Sequence, residues 1–126
     1  MQRVARIRAP VAAEGEILRQ VLAFDPLSLQ LWRNTRGAFK DRTGRWITYG
    51  VGPNGASDTI GFYTLRITPE HVGKRFAQFC AFEVKRRGEK LSEDQGAFIG
   101  NVRAAGGLAA PVWSVEDLAR ALGMIP

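Results

Sequence analysis

Along the chain, apolar and polar positions change period several times, and each change marks an element. Residues 13 to 24, AEGEILRQVLAF, place Ile17, Leu18, Val21 and Leu22 at helical spacing, so they predict an amphipathic helix that Pro26 stops. LSLQLWRNT, 27 to 35, alternates as a strand does, and residues 36 to 45, with Gly37, Asp41, Thr43 and Gly44, read as a turn. RWITYG is a short extended piece, GPNG at 52 to 55 a turn, and SDTIGFYTLRI at 57 to 67 is β-rich. TPEHVG makes a turn or a single helical turn, and KRFAQFCAFEVK, 74 to 85, is the strongest strand pattern in the chain. Ser92 followed three residues later by Gln95 is a capping box that opens a helix with Phe98, Ile99 and Val102 on its core face, and Gly106-Gly107 ends it. LAAPVWS, 108 to 114, is a strand, and Ser114 caps a last helix running to about Leu122.

The order is α-β-β-β-α-β-α. It predicts an α/β (α+β) domain with a mixed central sheet flanked by helices. A helix between the 74–85 and 108–114 strands is a crossover, so those two strands should be parallel, with a right-handed connection. Residues 1–10 form a basic arm carrying Arg3, Arg6 and Arg8, and residues 11–126 one domain.

One segment breaks the apolar logic. In FCAFEVK, period-two alternation puts Glu83 and Lys85 on one face and Phe82 and Val84 on the other. Charges on the inner half of a sheet need compensation, because an unpaired buried charge is very costly. One explanation is a strand end emerging into solvent beside Arg86, Arg87 and Gly88. The other is function. Asp58 follows the turn Gly52-Pro53-Asn54-Gly55 at the start of a strand, and antiparallel pairing of that strand with 74–85 would bring Asp58 to Glu83 and Lys85. Two carboxylates and an ammonium at a sheet end suit Mg²⁺ or Mn²⁺, which take oxygen ligands, activate water and neutralise phosphate charge.

Composition narrows the classes. The chain has 126 residues, 45% hydrophobic, enough for a core. Eighteen Lys plus Arg against twelve Asp plus Glu give +6, which points to a polyanion partner. The single cysteine, Cys80, rules out an intramolecular disulfide and a cysteine-built zinc site, and the single His71 rules out a histidine cluster. With no intramolecular disulfide possible, a cytoplasmic location is expected; no apolar run reaches the length of a membrane span, and MQRVARIRAP lacks the apolar stretch of a signal peptide.

NGASDTIGF and FEVKRRGEKLSEDQGAFIGNVRAAGGLAAPVWSVEDL resemble the VRR-Nuc family of the PD-(D/E)xK nuclease superfamily. The likeness is close from about residue 54 to 118 and looser from 14 to 37, where Glu14, Ile17, Val21, Trp32-Arg33-Asn34 and Gly37 carry it. The resemblance implies a restriction-endonuclease-like core and a Mg²⁺- or Mn²⁺-dependent, structure-specific DNA endonuclease. Small stand-alone members, many from phages, are similar to Holliday-junction resolvases and act as homodimers; a phage-encoded member would work in the bacterial host cytoplasm. Carried onto this chain, Asp58 and Glu83 would be metal-binding carboxylates and the backbone carbonyl of Val84 a further ligand. Lys85 would be the catalytic lysine, Glu14 an acid contacting the metal through water, and Gln95 a helical residue orienting the site. Glu16 competes with Glu14, and spacing to Ile17 and Val21 favours Glu14. Ser57 occupies the position of the superfamily's proline.

Arg86, Arg87, Lys90, Arg33 and Asn34 are candidate DNA contacts. Each candidate also has a purely structural explanation. Gln95 could serve only its capping box, Glu14 the helix dipole, and Arg86, Arg87 and Lys90 a solvated turn. His71 reads as a turn residue, and Trp32, Trp46 and Trp113 as core. A homodimer resolving four-way junctions therefore stands beside two alternatives, a flap or nicking endonuclease of the same fold and a non-catalytic DNA-binding module. None of these needs an organic cofactor or a membrane.

Overall fold

The computed structural model describes residues 13–126, so the basic arm expected over residues 1–10 lies outside the described residues. The chain forms two compact units, the first reaching Gly61 and the second starting at Phe62. The coarse class is as the patterns predict, helices mixed with small sheets. The strands pair as three two-stranded sheets among the described residues.

In the first unit, α1 spans Glu14–Ala23 and is closed by Phe24, whose N–H bonds to the carbonyls of Gln20 and Val21 before Pro26. Its apolar stripe is not core. No α1 residue is buried, and Ile17 and Val21 are exposed, because a helical period sets which residues share a face but not what covers it. β1 (Leu29–Arg33) follows, then β2 (Gly37–Lys40) and β3 (Trp46–Tyr49), which form an antiparallel hairpin with Gly37 opposite Tyr49 and Lys40 opposite Trp46. Residues 37–40 are thus strand where a turn was expected. GAFK is poor in strand formers, and its partner WITY supplies the ladder. The turn proper is 41–45. Asp41 Oδ1 accepts from Thr43 N at 2.8 Å, Thr43 Oγ1 at 2.6 Å and Arg45 N at 3.0 Å, and Gly44 takes φ +83°.

β4 (Thr59–Tyr63) pairs with β1 and runs across the boundary between the units. A Cβ at Gly61 would collide with the Gln30 carbonyl, so glycine is required there. The antiparallel pairing of β4 with the next long strand, expected from the sequence, is not among these sheets. The segment 64–79 contains a 3-10 turn at Pro69–His71 and is far longer than the usual hairpin loop of about 2–5 residues. His71 is the turn residue expected. Its Nδ1 accepts from Thr68 N at 2.9 Å.

The second unit is built on β5 (Cys80–Val84), α2 (Glu93–Ala104), β6 (Leu108–Val112) and α3 (Val115–Ala121). β5 and β6 are parallel as expected, with Cys80 opposite Leu108 and Val84 opposite Val112. β5 is shorter than the 74–85 run, since β6 starts only after Gly106-Gly107 and offers five partners. Gly106 at φ +100° closes α2, with Gly106 N bonding Arg103 O and Gly107 N bonding Val102 O, a Schellman ending. At Gly107 a Cβ would sit 2.7 Å from Val102 Cγ1. Ile99 and Val102, 5% and 1% exposed, pack with Ala109 against Phe62, Phe79, Ala81 and Leu91, and the Phe62 and Phe79 rings lie 4.9 Å apart. Ser114 caps α3 by accepting from Asp117 N at 3.1 Å, and Asp117 Oδ2 takes the Trp113 N–H at 2.9 Å. The three tryptophans expected in the core are all exposed, and Cys80 is an exposed free thiol. No helix among the described residues is long and apolar enough to cross a membrane.

Candidate active site

The puzzle of the charged strand resolves in the second unit. Ala81 belongs to the core packed under α2, and period two puts Glu83 and Lys85 on that same face. Glu83 and Lys85 are half-buried, whereas Val84, on the other face, is 78% exposed. The apolar residue faces solvent and the acid faces the helix.

Gln95 compensates the acid. Its Nε2 donates to Glu83 Oε1 at 2.9 Å. Its Oε1 accepts from Ser92 N at 2.9 Å, and its own N–H donates to Ser92 Oγ at 3.1 Å. The capping box therefore decides the amide's orientation: the oxygen must meet the Ser92 N–H, so the NH₂ must meet the carboxylate. One side chain thus serves both the helix cap and the strand acid Glu83.

Glu83 and Gln95 stand at the polar end of an open cleft of about 320 Å³ between β5 and α2, lined otherwise by Ala81, Phe82, Asp94, Phe98 and Ile99. Asp94 was not singled out from the sequence. The signal for it is its spacing of four from Phe98, which puts both on one side of α2.

Lys85 is anchored by its backbone, whose N–H donates to Val112 O at 3.0 Å. That bond and Leu108 N to Phe79 O at 2.9 Å fix the phase of the parallel ladder: odd-numbered residues of β5 turn their polar backbone groups to β6. The Val84 carbonyl therefore points away from β6. Beyond the strand, Glu89 Oε1 accepts from Arg86 N at 3.0 Å and Arg86 Nε at 2.8 Å. The Arg86 side chain, then its backbone N–H, then the charge of Lys85 hold the Glu89 carboxyl below its ordinary value. Trp113 Nε1 donates to Glu89 O at 3.2 Å and ties this turn to the end of β6. Arg86, Arg87 and Lys90 are exposed, with Arg86 already carrying its ion pair to Glu89.

Asp58 belongs to the first unit. Its side chain is exposed and its carbonyl accepts from Asn34 N at 2.7 Å. Asn34, a candidate DNA contact by resemblance, instead is 9% exposed, the one buried polar residue among those described. Asn34 Nδ2 donates to Val51 O at 2.9 Å and Ser57 O at 3.0 Å, and Oδ1 accepts from Val51 N at 2.8 Å. Both amide donors are spent closing the two ends of the Gly-rich loop that delivers Asp58, so no side-chain N–H is left for a phosphate. Arg33 beside it is exposed. On α1, Glu16 is engaged by Arg19 and by Gln20 Nε2, while Glu14 has no side-chain partner among the described residues. That leaves Glu14 the freer of the two competing acids.

Two oxygen donors here are of the kind a hard divalent cation takes: a half-buried carboxylate oriented by an amide and a backbone carbonyl turned off its ladder. Among the described residues no group of three or more His, Cys, Asp or Glu is assembled. No family model, curated protein or solved structure matches the chain.

Proposed function

We propose that this chain is a Mg²⁺- or Mn²⁺-dependent, structure-specific DNA endonuclease with a restriction-endonuclease-like core of the VRR-Nuc type. The observation that carries the reading is the Gln95–Glu83 hydrogen bond at 2.9 Å, which gives a half-buried strand acid a dedicated orienting partner beside an open cleft. A strand end merely emerging into solvent needs no such partner.

In this reading Asp58, Glu83, the Val84 carbonyl and Glu14 would hold the cation, which would supply an activated water and charge neutralisation at the phosphate. Gln95 holds one Glu83 oxygen, and Glu83 lines the cleft. Lys85, two residues on along the same face, would hold the attacking water through an Nζ proton. Arg87, Lys90 and Arg33 contact phosphates. Cutting opposed strands of a four-way junction needs two sites, so the working form is a homodimer.

The test is a panel of end-labelled duplex, flap, splayed-arm and four-way-junction DNA with Mg²⁺, Mn²⁺ or EDTA. Metal-dependent cutting that Glu83→Ala eliminates supports the reading. DNA binding without cutting under every metal condition leaves a binding module.

A further inference from the structure

The hairpin of β2 and β3 lies outside everything assigned above, and its surface is unusual. Every residue of 38–40 and 42–50 is exposed, so neither face of the ribbon is covered. Large aromatic groups stand on both faces. Trp46, 67% exposed, shares one face with Lys40, whose Nζ sits 5.2 Å from the indole centroid. Phe39 and Tyr49, also exposed, share the other, with ring centroids 6.3 Å apart. The charge is one-sided: Lys40, Arg42 and Arg45 against Asp41 alone. None of the three cations has an ion-pair partner among the described residues. Asp41 spends its carboxylate inward on the turn, and its bonds to the Thr43 side chain and the Arg45 backbone hold it ionised below its ordinary range. Arg42 and Arg45 are exposed and Lys40 lies over the Trp46 ring, so Asp41 neutralises none of the three through an ion pair.

We propose that this hairpin is a DNA-binding ribbon, whose Lys40, Arg42 and Arg45 neutralise phosphates and whose Trp46 stacks on unpaired bases. A two-stranded β-ribbon is narrow enough to follow a DNA groove. Phosphates complement its charge, and aromatic side chains on an exposed strand accept any base through its π-face. The base of the ribbon adjoins the loop before Asp58, because Asn34 and Val51 bracket it and the Asn34 amide that joins them also holds Ser57. The inference deepens the endonuclease reading by naming how DNA is gripped, yet it needs neither metal nor cleavage.

The experiment is fluorescence anisotropy with the full chain in EDTA, using a duplex, a single strand and a four-way junction over a salt series. The triple variant Lys40→Gln/Arg42→Gln/Arg45→Gln should flatten the duplex slope of log affinity against log salt by about 2.7, at about 0.9 for each phosphate no longer neutralised. The swap Lys40→Arg/Arg42→Lys/Arg45→Lys, which preserves charge, should keep the slope. Trp46→Ala should weaken binding to the single strand and the junction roughly 5- to 150-fold, the usual effect of removing one stacking platform. Amide exchange over residues 37–49 of the unaltered protein should slow on adding DNA, which tests the ribbon even if a variant misfolds. An unchanged slope, unchanged amide exchange, or a change in oligomeric state at constant DNA affinity would each overturn the proposal. If the triple variant binds weakly but the unaltered chain never cuts with Mg²⁺ or Mn²⁺, the ribbon stands and the endonuclease reading falls. If the chain cuts and the triple variant binds as before, the reverse holds.

Discussion

Replacing Asn34 by alanine should loosen the loop that carries Asp58 more than it unfolds the protein. The substitution removes three hydrogen bonds, Nδ2 to Val51 O at 2.9 Å, Nδ2 to Ser57 O at 3.0 Å and Val51 N to Oδ1 at 2.8 Å. At a net contribution of about 1 kcal/mol each, the sum is about 3 kcal/mol. Val51 and Ser57 are exposed, so water recovers part of this, and a loss of about 1.5–3 kcal/mol is expected. The backbone bond from Asn34 N to Asp58 O is untouched, which keeps the ladder in place and concentrates the loss on residues 51–57. With two compact units a single unfolding free energy is poorly defined, so the assay is amide exchange read locally, with urea unfolding as a control. Exchange in residues 51–57 should accelerate by about one to two orders of magnitude while α2 and β6 keep their protection. Asn34→Asp should be worse at neutral pH and milder in acid, because it sets a carboxylate against two carbonyls unless it is protonated. If loop exchange rises less than about twofold in Asn34→Ala, the clamp has been misread. If Asn34→Ala weakens Mn²⁺ binding equally with and without Asp58→Ala, Asn34 does not act through Asp58.

Asp58→Ala and Glu83→Ala should each abolish metal-dependent cleavage with circular dichroism unchanged; robust cutting by either at ordinary Mg²⁺ would sink the metal assignment. Lys85→Ala should lower turnover more than Mn²⁺ affinity by calorimetry, and the opposite pattern would reassign it. Gln95→Glu should keep the helix cap, since Glu serves a capping box, yet set two carboxylates against each other where the Gln95 NH₂ donates to Glu83 at 2.9 Å. Its thermal midpoint should shift little while activity is lost, and its activity should partly return as pH falls and the pair shares a proton. The Glu89 carboxyl is held below its ordinary 4.5 chiefly by Arg86, so its contribution to the 85–89 turn is present above about pH 4.5 and lost as pH falls through the lower folded value; carboxyl titration by NMR should show Arg86→Ala moving that value back up.

How much of this was legible in the sequence depended on whether the signal was local. The capping box of Ser92 and Gln95, the glycine ending at Gly106-Gly107 and the Ser114 cap sit where the pattern put them, because each is written in three or four consecutive residues. The parallel pairing of β5 and β6 followed from a helix lying between two strand patterns. What failed was what depends on a partner. Gly37–Lys40 reads as turn until WITY is opposite it, and the run from Lys74 reads as strand although no partner strand reaches it among the described residues. The stripe on α1 and the three tryptophans look like core by residue type, yet burial is a property of the covering element. In the site, Glu83 on the wrong face was visible and so was Gln95. Asn34 carried no sequence mark of being buried, because a polar residue after a strand is usually exposed.

Gln95 and Asn34 share a logic that matters for reading any mutation here. Each is a carboxamide whose two ends differ, one donor group and one acceptor, and each uses both. Gln95 gives its oxygen to a helix cap and its NH₂ to Glu83; Asn34 gives its oxygen to Val51 N–H and its NH₂ to the carbonyls on either side of the loop before Asp58. A carboxylate in either place could satisfy the N–H but would repel what the NH₂ holds, and an alanine would do neither. Truncation to alanine therefore mixes a local backbone defect with any functional one. Substitutions that keep one end and reverse the other separate the two, and they do so in opposite ways. At Gln95 the reversed end meets an acid, so under the endonuclease reading the damage falls on chemistry. At Asn34 it meets backbone carbonyls, so the damage falls first on the loop and, in that reading, reaches the chemistry only through the position of Asp58.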